Sequence, residues 1–137
     1  MKVRELKKVP KHKIGRVDTN GVHLEVHEYD TIYCLASFGF DVEVIVPTNT
    51  PKTHNADYLI NGSLWEAKSP IGGSTSCISR QFHKASKQAD KMILDLRRIK
   101  MGAVKSRCEA ISRFEKAKGI KRLIMITKDG RMLDLVK

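Results

Sequence analysis

Apolar and polar positions repeat with two different periods along this chain, which predicts both helices and strands. A helical stripe that stops at Gly39 predicts a helix from about residue 20 to 38. Longer stripes predict a helix from about 74 to 100 and another over 103–118. Short apolar runs predict strands at 41–46, 56–60, 63–68, 121–127 and 131–136. This order favours an α/β (α+β) fold in which a mixed central β-sheet is flanked by α-helices.

The N-terminal segment lacks a clear period. Residues 1–18 contain Pro10 and Gly15 and are rich in lysine and arginine, so we expect a basic arm, followed by a single domain over 19–137. No apolar run approaches the roughly 18 residues that a membrane span requires. The basic N-terminus is not followed by the apolar core of a signal peptide.

A tight hairpin is the strongest local signal. Asn61-Gly62 is typical of a two-residue type I′ turn, and such a turn fixes the strand register. Under that register Tyr58 lies opposite Trp65, and we assign both to the core. Asp57 then lies opposite Glu66, and Lys68 follows two residues later on the same face as Glu66.

Two opposed carboxylates repel each other unless a cation lies between them. A divalent ion held by Asp57 and Glu66 satisfies this requirement, and Mg²⁺ is the first choice because it prefers carboxylate, phosphate and water oxygens. Zn²⁺ and Mn²⁺ are the alternatives. Lys68 is placed to hold a water or a phosphate oxygen beside such an ion. The competing interpretation is a surface charge pair between Glu66 and Lys68, which contributes little to stability.

The positive charge is concentrated in one segment. The net charge is +11, and residues 80–122 contain 14 basic and 4 acidic residues, whereas residues 1–79 contain nine of each. Such asymmetry indicates a polyanionic partner, with nucleic acid as the first candidate. The candidate phosphate contacts are Lys52, Arg80, Lys84, Lys87 and Lys91.

At the acidic residues the sequence resembles the PD-(D/E)XK nuclease superfamily. More narrowly, it resembles the C-terminal toxin domains of contact-dependent growth inhibition systems, many of which are tRNA nucleases. The likeness covers about residues 22–97 and is carried by HEYDTIYCLASFGFDVEVIVP, HNADYLINGSLWEAKSPIG and ISRQFHKASKQADKMILDL. Ala56 stands where the motif has proline.

The resemblance implies a PD-(D/E)XK-like core and metal-dependent cleavage of a phosphodiester bond. Asp57 and Glu66 would bind the metal together with the carbonyl of Ala67, and Lys68 would stabilise the attacking water or the transition state. Glu28 would be the helix glutamate that completes the site, although Glu25 lies one turn earlier and stays open as the alternative.

Three further residues are accessory candidates: Gln81, Gln88 and His54. The glutamines lie in the segment that bears the likeness, and His54 lies in a loop where it could contact the substrate. Solvated helix positions are the simpler interpretation of both glutamines.

Three functions therefore compete. The first is a metal-dependent tRNA nuclease that acts as an interbacterial toxin. The second is a DNA endonuclease of the phage or restriction type, and the third is a non-catalytic nucleic-acid-binding module. The resemblance alone favours tRNA over DNA. It also implies delivery into the cytoplasm of a target cell as part of a larger secreted protein, and a dedicated immunity protein, which we expect to be acidic.

Overall fold

A computed structural model describes residues 1–47 and 56–137. Within them, eight strands form a mixed sheet in the order β1-β8-β7-β6-β5-β4-β3-β2. The strands are Lys2–Leu6 (β1), Val17–Asp18 (β2), Val42–Val44 (β3), Tyr58–Ile60 (β4), Ser63–Lys68 (β5), Lys91–Asp95 (β6), Arg122–Ile126 (β7) and Met132–Val136 (β8). The helices are Val26–Ser37 (α1), Thr75–Ala85 (α2) and Ala103–Lys116 (α3). The predicted α+β class with a mixed central sheet is confirmed.

The sheet is covered on both faces. Alternate residues of β6 belong to different cores: Met92 and Leu94 pack with α2 and α3, whereas Ile93 packs with α1. β6 lies between β5 and β7 and is parallel to both. A parallel strand that is buried on both faces consists of an almost continuous apolar run, as β6 does.

The predicted hairpin and its register are confirmed. Asn61 and Gly62 have φ values of 49° and 85°, as a type I′ turn requires. Tyr58 pairs with Trp65, and both side chains are buried in the core beside α1. The same turn therefore orients the residues that follow Trp65 along β5.

The predicted long helix over 74–100 is wrong beyond residue 85. α2 ends at Ala85, and the apolar residues from Met92 onward belong to strand β6. Periodicity alone cannot separate a buried strand from a buried helix when the apolar run is short. Pairing with β5 and β7, which are distant in sequence, decides in favour of the strand.

The expected N-terminal arm is also corrected. β1 pairs antiparallel with β8, with Lys2 opposite Val136, so this segment forms an edge of the sheet. Its side chains are mostly exposed, which explains why it carries no apolar alternation. The first helix is shorter than predicted and begins at Val26, but Gly39, with a φ of 93°, follows its end as expected. No helix in the described parts of the chain is long and apolar enough to cross a membrane.

Candidate active site

β5 extends beyond its neighbour β4, and this difference in length opens a gap in the sheet. The pairing of the two strands ends at Tyr58 and Trp65, whereas β5 continues to Lys68. In the gap, Oδ2 of Asp57 accepts a hydrogen bond of 2.9 Å from the backbone N–H of Ala67. Because the N–H and C=O of a strand residue point to the same side, the carbonyl of Ala67 faces this gap as well.

A cavity of about 180 Å³ occupies this place, between α1 and the end of β5. Five of the predicted site residues line it: Glu28, Asp57, Glu66, Ala67 and Lys68. Tyr58 also lines it, and burial, followed by the charge of Asp57, raises the pKa of Tyr58, so that its hydroxyl stays protonated. A larger cavity of about 430 Å³, near β2 and β3, contains none of these residues among its described lining.

Glu66 is the most perturbed acid of the cavity. It is only 5% exposed, and Lys68 Nζ lies 3.0 Å from its Oε2. Burial, and then the neighbouring carboxylate of Asp57, raises the pKa of Glu66 to about 7, while Lys68 opposes the increase. Within the described residues, Oε1 of Glu66 is buried without a hydrogen-bond partner. The ionised cavity therefore contains more negative charge than Lys68 alone balances.

This arrangement fits a divalent cation. Two adjacent carboxylates and a backbone carbonyl are hard oxygen ligands, and Mg²⁺ and Mn²⁺ bind such ligands well. An ion there would also supply the missing partner of Glu66 Oε1. His27 also lines the cavity, but the groups that would hold the ion are oxygen ligands and the described lining contains no cysteine, which favours Mg²⁺ or Mn²⁺ over Zn²⁺.

The structure distinguishes Glu28 from Glu25. Glu28 lines the cavity, whereas the side chain of Glu25 is 74% exposed and contacts Nδ1 of His27 at 3.4 Å. The two glutamates form a capping box at the start of α1, in which Oε1 of Glu28 accepts the N–H of Glu25. The ligand atoms of Glu25, His27 and Glu28 lie within 4.8 Å of one another, and the cap and the His27 contact account for that proximity.

The break between α2 and β6 places four of the five predicted nucleic-acid contacts on different segments of the chain. Arg80 and Lys84 lie on α2, Lys87 follows that helix, and Lys91 begins β6, where its Nζ lies 3.7 Å from Asp90. None of these four lines the described part of the 180 Å³ cavity. The fifth, Lys52, lies outside the described residues.

Neither glutamine among the accessory candidates lines the described part of the cavity. Gln81 donates a hydrogen bond to the carbonyl of Cys77 within α2. Oε1 of Gln88 is buried without a partner among the described residues, and Gln88 is not part of the described cavity lining. His54 lies outside the part of the chain that the structure describes.

Sequence analysis missed the cations that border the site. Arg97 and Arg98 follow β6 and line a second cavity of about 120 Å³, which shares His27 and Ser69 with the first. Arg98 donates to the hydroxyl and the carbonyl of Ser69, at 3.1 and 2.6 Å. The available signal was the pair of arginines after a short apolar run, since polar residues at the carboxyl end of parallel strands often line a site.

Comparison with known proteins identifies the class of the domain. Residues 53–132 match the contact-dependent growth inhibition CdiA C-terminal domain family. The chain therefore belongs to this family of C-terminal toxin domains. The match includes four of the five predicted residues of the cavity, all except Glu28.

A solved structure supports the fold over nearly the whole chain. The fold is similar to that in the CdiA-CT/CdiI toxin and immunity complex from Burkholderia pseudomallei, with a TM-score of 0.69. The alignment covers 90% of this chain and 100% of the other, at 21% identity. No curated protein sequence matches the chain.

Proposed function

We propose that this CdiA C-terminal domain is a metal-dependent nuclease that cleaves tRNA, with a PD-(D/E)XK-type active site. One observation carries the proposal: Asp57, which is half-buried, and Glu66, which is buried, share a cavity with Lys68 at a gap in the sheet. A domain that only binds nucleic acid has no use for two carboxylates that line one cavity beside its polyanionic ligand. The family contributes the toxin context.

Each of the predicted residues in the cavity has a separate role in the proposed reaction. Asp57, Glu66 and the carbonyl of Ala67 hold the ion, which when bound supplies positive charge at the phosphate and lowers the pKa of a water. Lys68, kept in place by Glu66, donates hydrogen bonds to the phosphate oxygens or to the attacking water. Glu28 adds a carboxylate that orients a water in the same cavity.

Cleavage should depend on a divalent ion. We expect the purified chain to cleave total tRNA in the presence of Mg²⁺ or Mn²⁺, and to lose this activity in EDTA, because the ionised acids leave the cavity without charge balance. Plasmid DNA serves as the parallel substrate, and gel electrophoresis is the measurement. Cleavage of DNA alone would indicate a DNA endonuclease. Cleavage of neither substrate would favour a binding module. Full activity after chelation would contradict the proposed requirement for a divalent ion.

Arg98 should contribute more to substrate binding than the basic residues of α2. Arg98 borders the site, whereas Lys84 is an exposed residue near the end of α2. We expect Arg98→Gln to raise KM for tRNA several-fold and to reduce the salt dependence of binding by about one counterion. Lys84→Gln removes the same charge and is the matched control. Equal effects of both changes would mean that the basic segment acts only through its total charge.

We also propose an acidic immunity protein as the partner of this domain. The charge of +11 favours a partner rich in carboxylates, and electrostatic steering would speed their association. A similar fold was solved in a toxin and immunity complex, which supports the same kind of partner here. Covering the cavity or the adjoining arginines would exclude tRNA. The proposed place of action is the cytoplasm of the target cell, after delivery as part of a larger secreted protein.

A further inference from the structure

A buried polar cluster joins α1 to the carboxyl end of β6. Asp95, the last residue of β6, is 2% exposed, and Thr31 of α1 is 3% exposed. The Thr31 hydroxyl lies 2.6 Å from Oδ2 of Asp95. The Arg97 guanidinium donates to both oxygens of Asp95, at 3.0 and 2.8 Å, and its backbone N–H donates to Oδ1 at 3.1 Å. Four donors thus saturate one carboxylate.

This cluster spans the two walls of the candidate active site. Thr31 lies almost one helical turn after Glu28, and both line the 180 Å³ cavity. On the other wall, Leu94, which precedes Asp95, pairs with Lys68 of β5. The hydrogen bond between Thr31 and Asp95 therefore connects the helix that carries Glu28 to β6, which pairs with the strand that carries Glu66 and Lys68.

Stability alone does not explain this arrangement. The remaining contact of α1 with the sheet is apolar and includes Ile32 and Leu35, which are fully buried. Apolar contacts are not directional, so they hold the helix on the sheet without fixing its exact position along it. A buried ion pair often contributes less to stability than apolar residues of similar volume. A hydrogen bond with a saturated carboxylate, by contrast, defines the helix position closely.

We propose that Thr31 and Asp95 are positioning residues, which hold Glu28 at its working distance from Glu66 and Lys68. Arg97 orients Asp95 from the solvent side, where its own side chain is 31% exposed. The inference rests on the proposed nuclease function and adds to it a second set of residues, at the junction of α1 and β6.

Thr31→Val keeps the shape of the side chain and removes its donor. Because misplacement by about 1 Å can cost on the order of 100-fold in rate, we expect kcat for tRNA cleavage to fall about 10- to 100-fold, with KM changed less than about twofold. Thr31→Ser, which restores the donor, should recover most of the rate. Ile32→Val is the matched control: it weakens the same helix contact by removing one buried methyl group but leaves the hydrogen bond, so it should keep kcat. Thermal unfolding of each variant shows that the fold persists.

A double-mutant cycle tests whether Thr31 acts through Glu28. In a Glu28→Gln background, measured in single turnover with excess enzyme, Thr31→Val should change the rate less than about twofold, because the group that it positions is already altered. The same 10- to 100-fold loss in both backgrounds would overturn the proposal, as would an equal loss of kcat in Ile32→Val. If the wild-type chain cleaves neither tRNA nor DNA, the proposed function fails. If it cleaves tRNA, and Asp57→Asn abolishes cleavage while Thr31→Val does not reduce it, only the positioning role fails.

Discussion

Replacing Asp57 by asparagine, or Lys68 by methionine, is expected to reduce tRNA cleavage by on the order of 10³-fold or more while the fold persists. Asp57 carries one of the two charges proposed to bind the metal, and its Oδ2 also accepts the N–H of Ala67. Asparagine retains a carbonyl oxygen for that hydrogen bond but loses the charge. Methionine preserves much of the length of Lys68 and removes the ammonium that contacts Glu66.

The controls for this prediction come from acids outside the cavity. Glu43→Gln removes an exposed carboxylate on β3, which β4 separates from β5 and which does not line the 180 Å³ cavity, so it should leave the cleavage rate unchanged. Circular dichroism and thermal unfolding would show that each variant is folded, and the rate would be measured with Mg²⁺ at a saturating concentration. Full activity of Asp57→Asn would rule out the site. Unfolding of both site variants would instead assign these residues a structural role.

Glu28→Gln and Glu25→Gln are a matched pair of variants that tests which glutamate near the start of α1 belongs to the active site. Glutamine at the third helical position can still accept the N–H of Glu25, so Glu28→Gln should keep the helix cap. Its loss of activity should exceed that of Glu25→Gln, because only Glu28 lines the cavity. The reverse order would exchange their roles.

Local sequence signals predicted the central hairpin and the acidic face because both depend on neighbouring residues. The Asn61-Gly62 turn sets the register of Tyr58 and Trp65, and that register leads directly to Asp57, Glu66 and Lys68. The helical stripe and Gly39 located α1, although its first turn depends on a cap between Glu25 and Glu28. These features involve short separations along the chain, where the physical rules are strongest.

Pairing between distant segments could not be predicted in the same way. Residues 86–90 contain neither glycine nor proline, so no stop signal separates α2 from β6. Because the predicted helix over 74–100 included Asp95, its hydrogen bond with Thr31, 64 positions away in the sequence, could not be predicted. β1 likewise pairs with β8 at the other end of the chain. The identity of β6 as a strand and the pairing of β1 with β8 both depend on the assembled sheet rather than on the local period of apolar residues.

Replacing Glu66 by glutamine is expected to abolish cleavage and, in the absence of metal, to stabilise the fold above pH 7. In the native chain, burial and the Asp57 carboxylate raise the pKa of Glu66 to about 7, whereas in the unfolded chain it ionises near its ordinary value of 4.5. Between these values the folded state binds more protons than the unfolded state, so the stability of the native chain falls as the pH rises. Above pH 7 the folded chain carries the full cost of the buried charge. Glutamine has no charge to bury, and its amide can donate a hydrogen bond to Asp57.

The measurement is the free energy of unfolding in EDTA at pH 4.5 and pH 8. We expect Glu66→Gln to be more stable than the native chain by about 1 to 3 kcal/mol at pH 8, and the difference to shrink toward zero near pH 4.5. Glu43→Gln, the exposed control, should show no such change with pH. Adding Mg²⁺ should then stabilise the native chain and not Glu66→Gln, because a ligand stabilises only the state that binds it. A variant that is less stable than the native chain at pH 8 would show that Lys68 already balances Glu66, and the electrostatic reason for placing a cation between Asp57 and Glu66 would no longer hold.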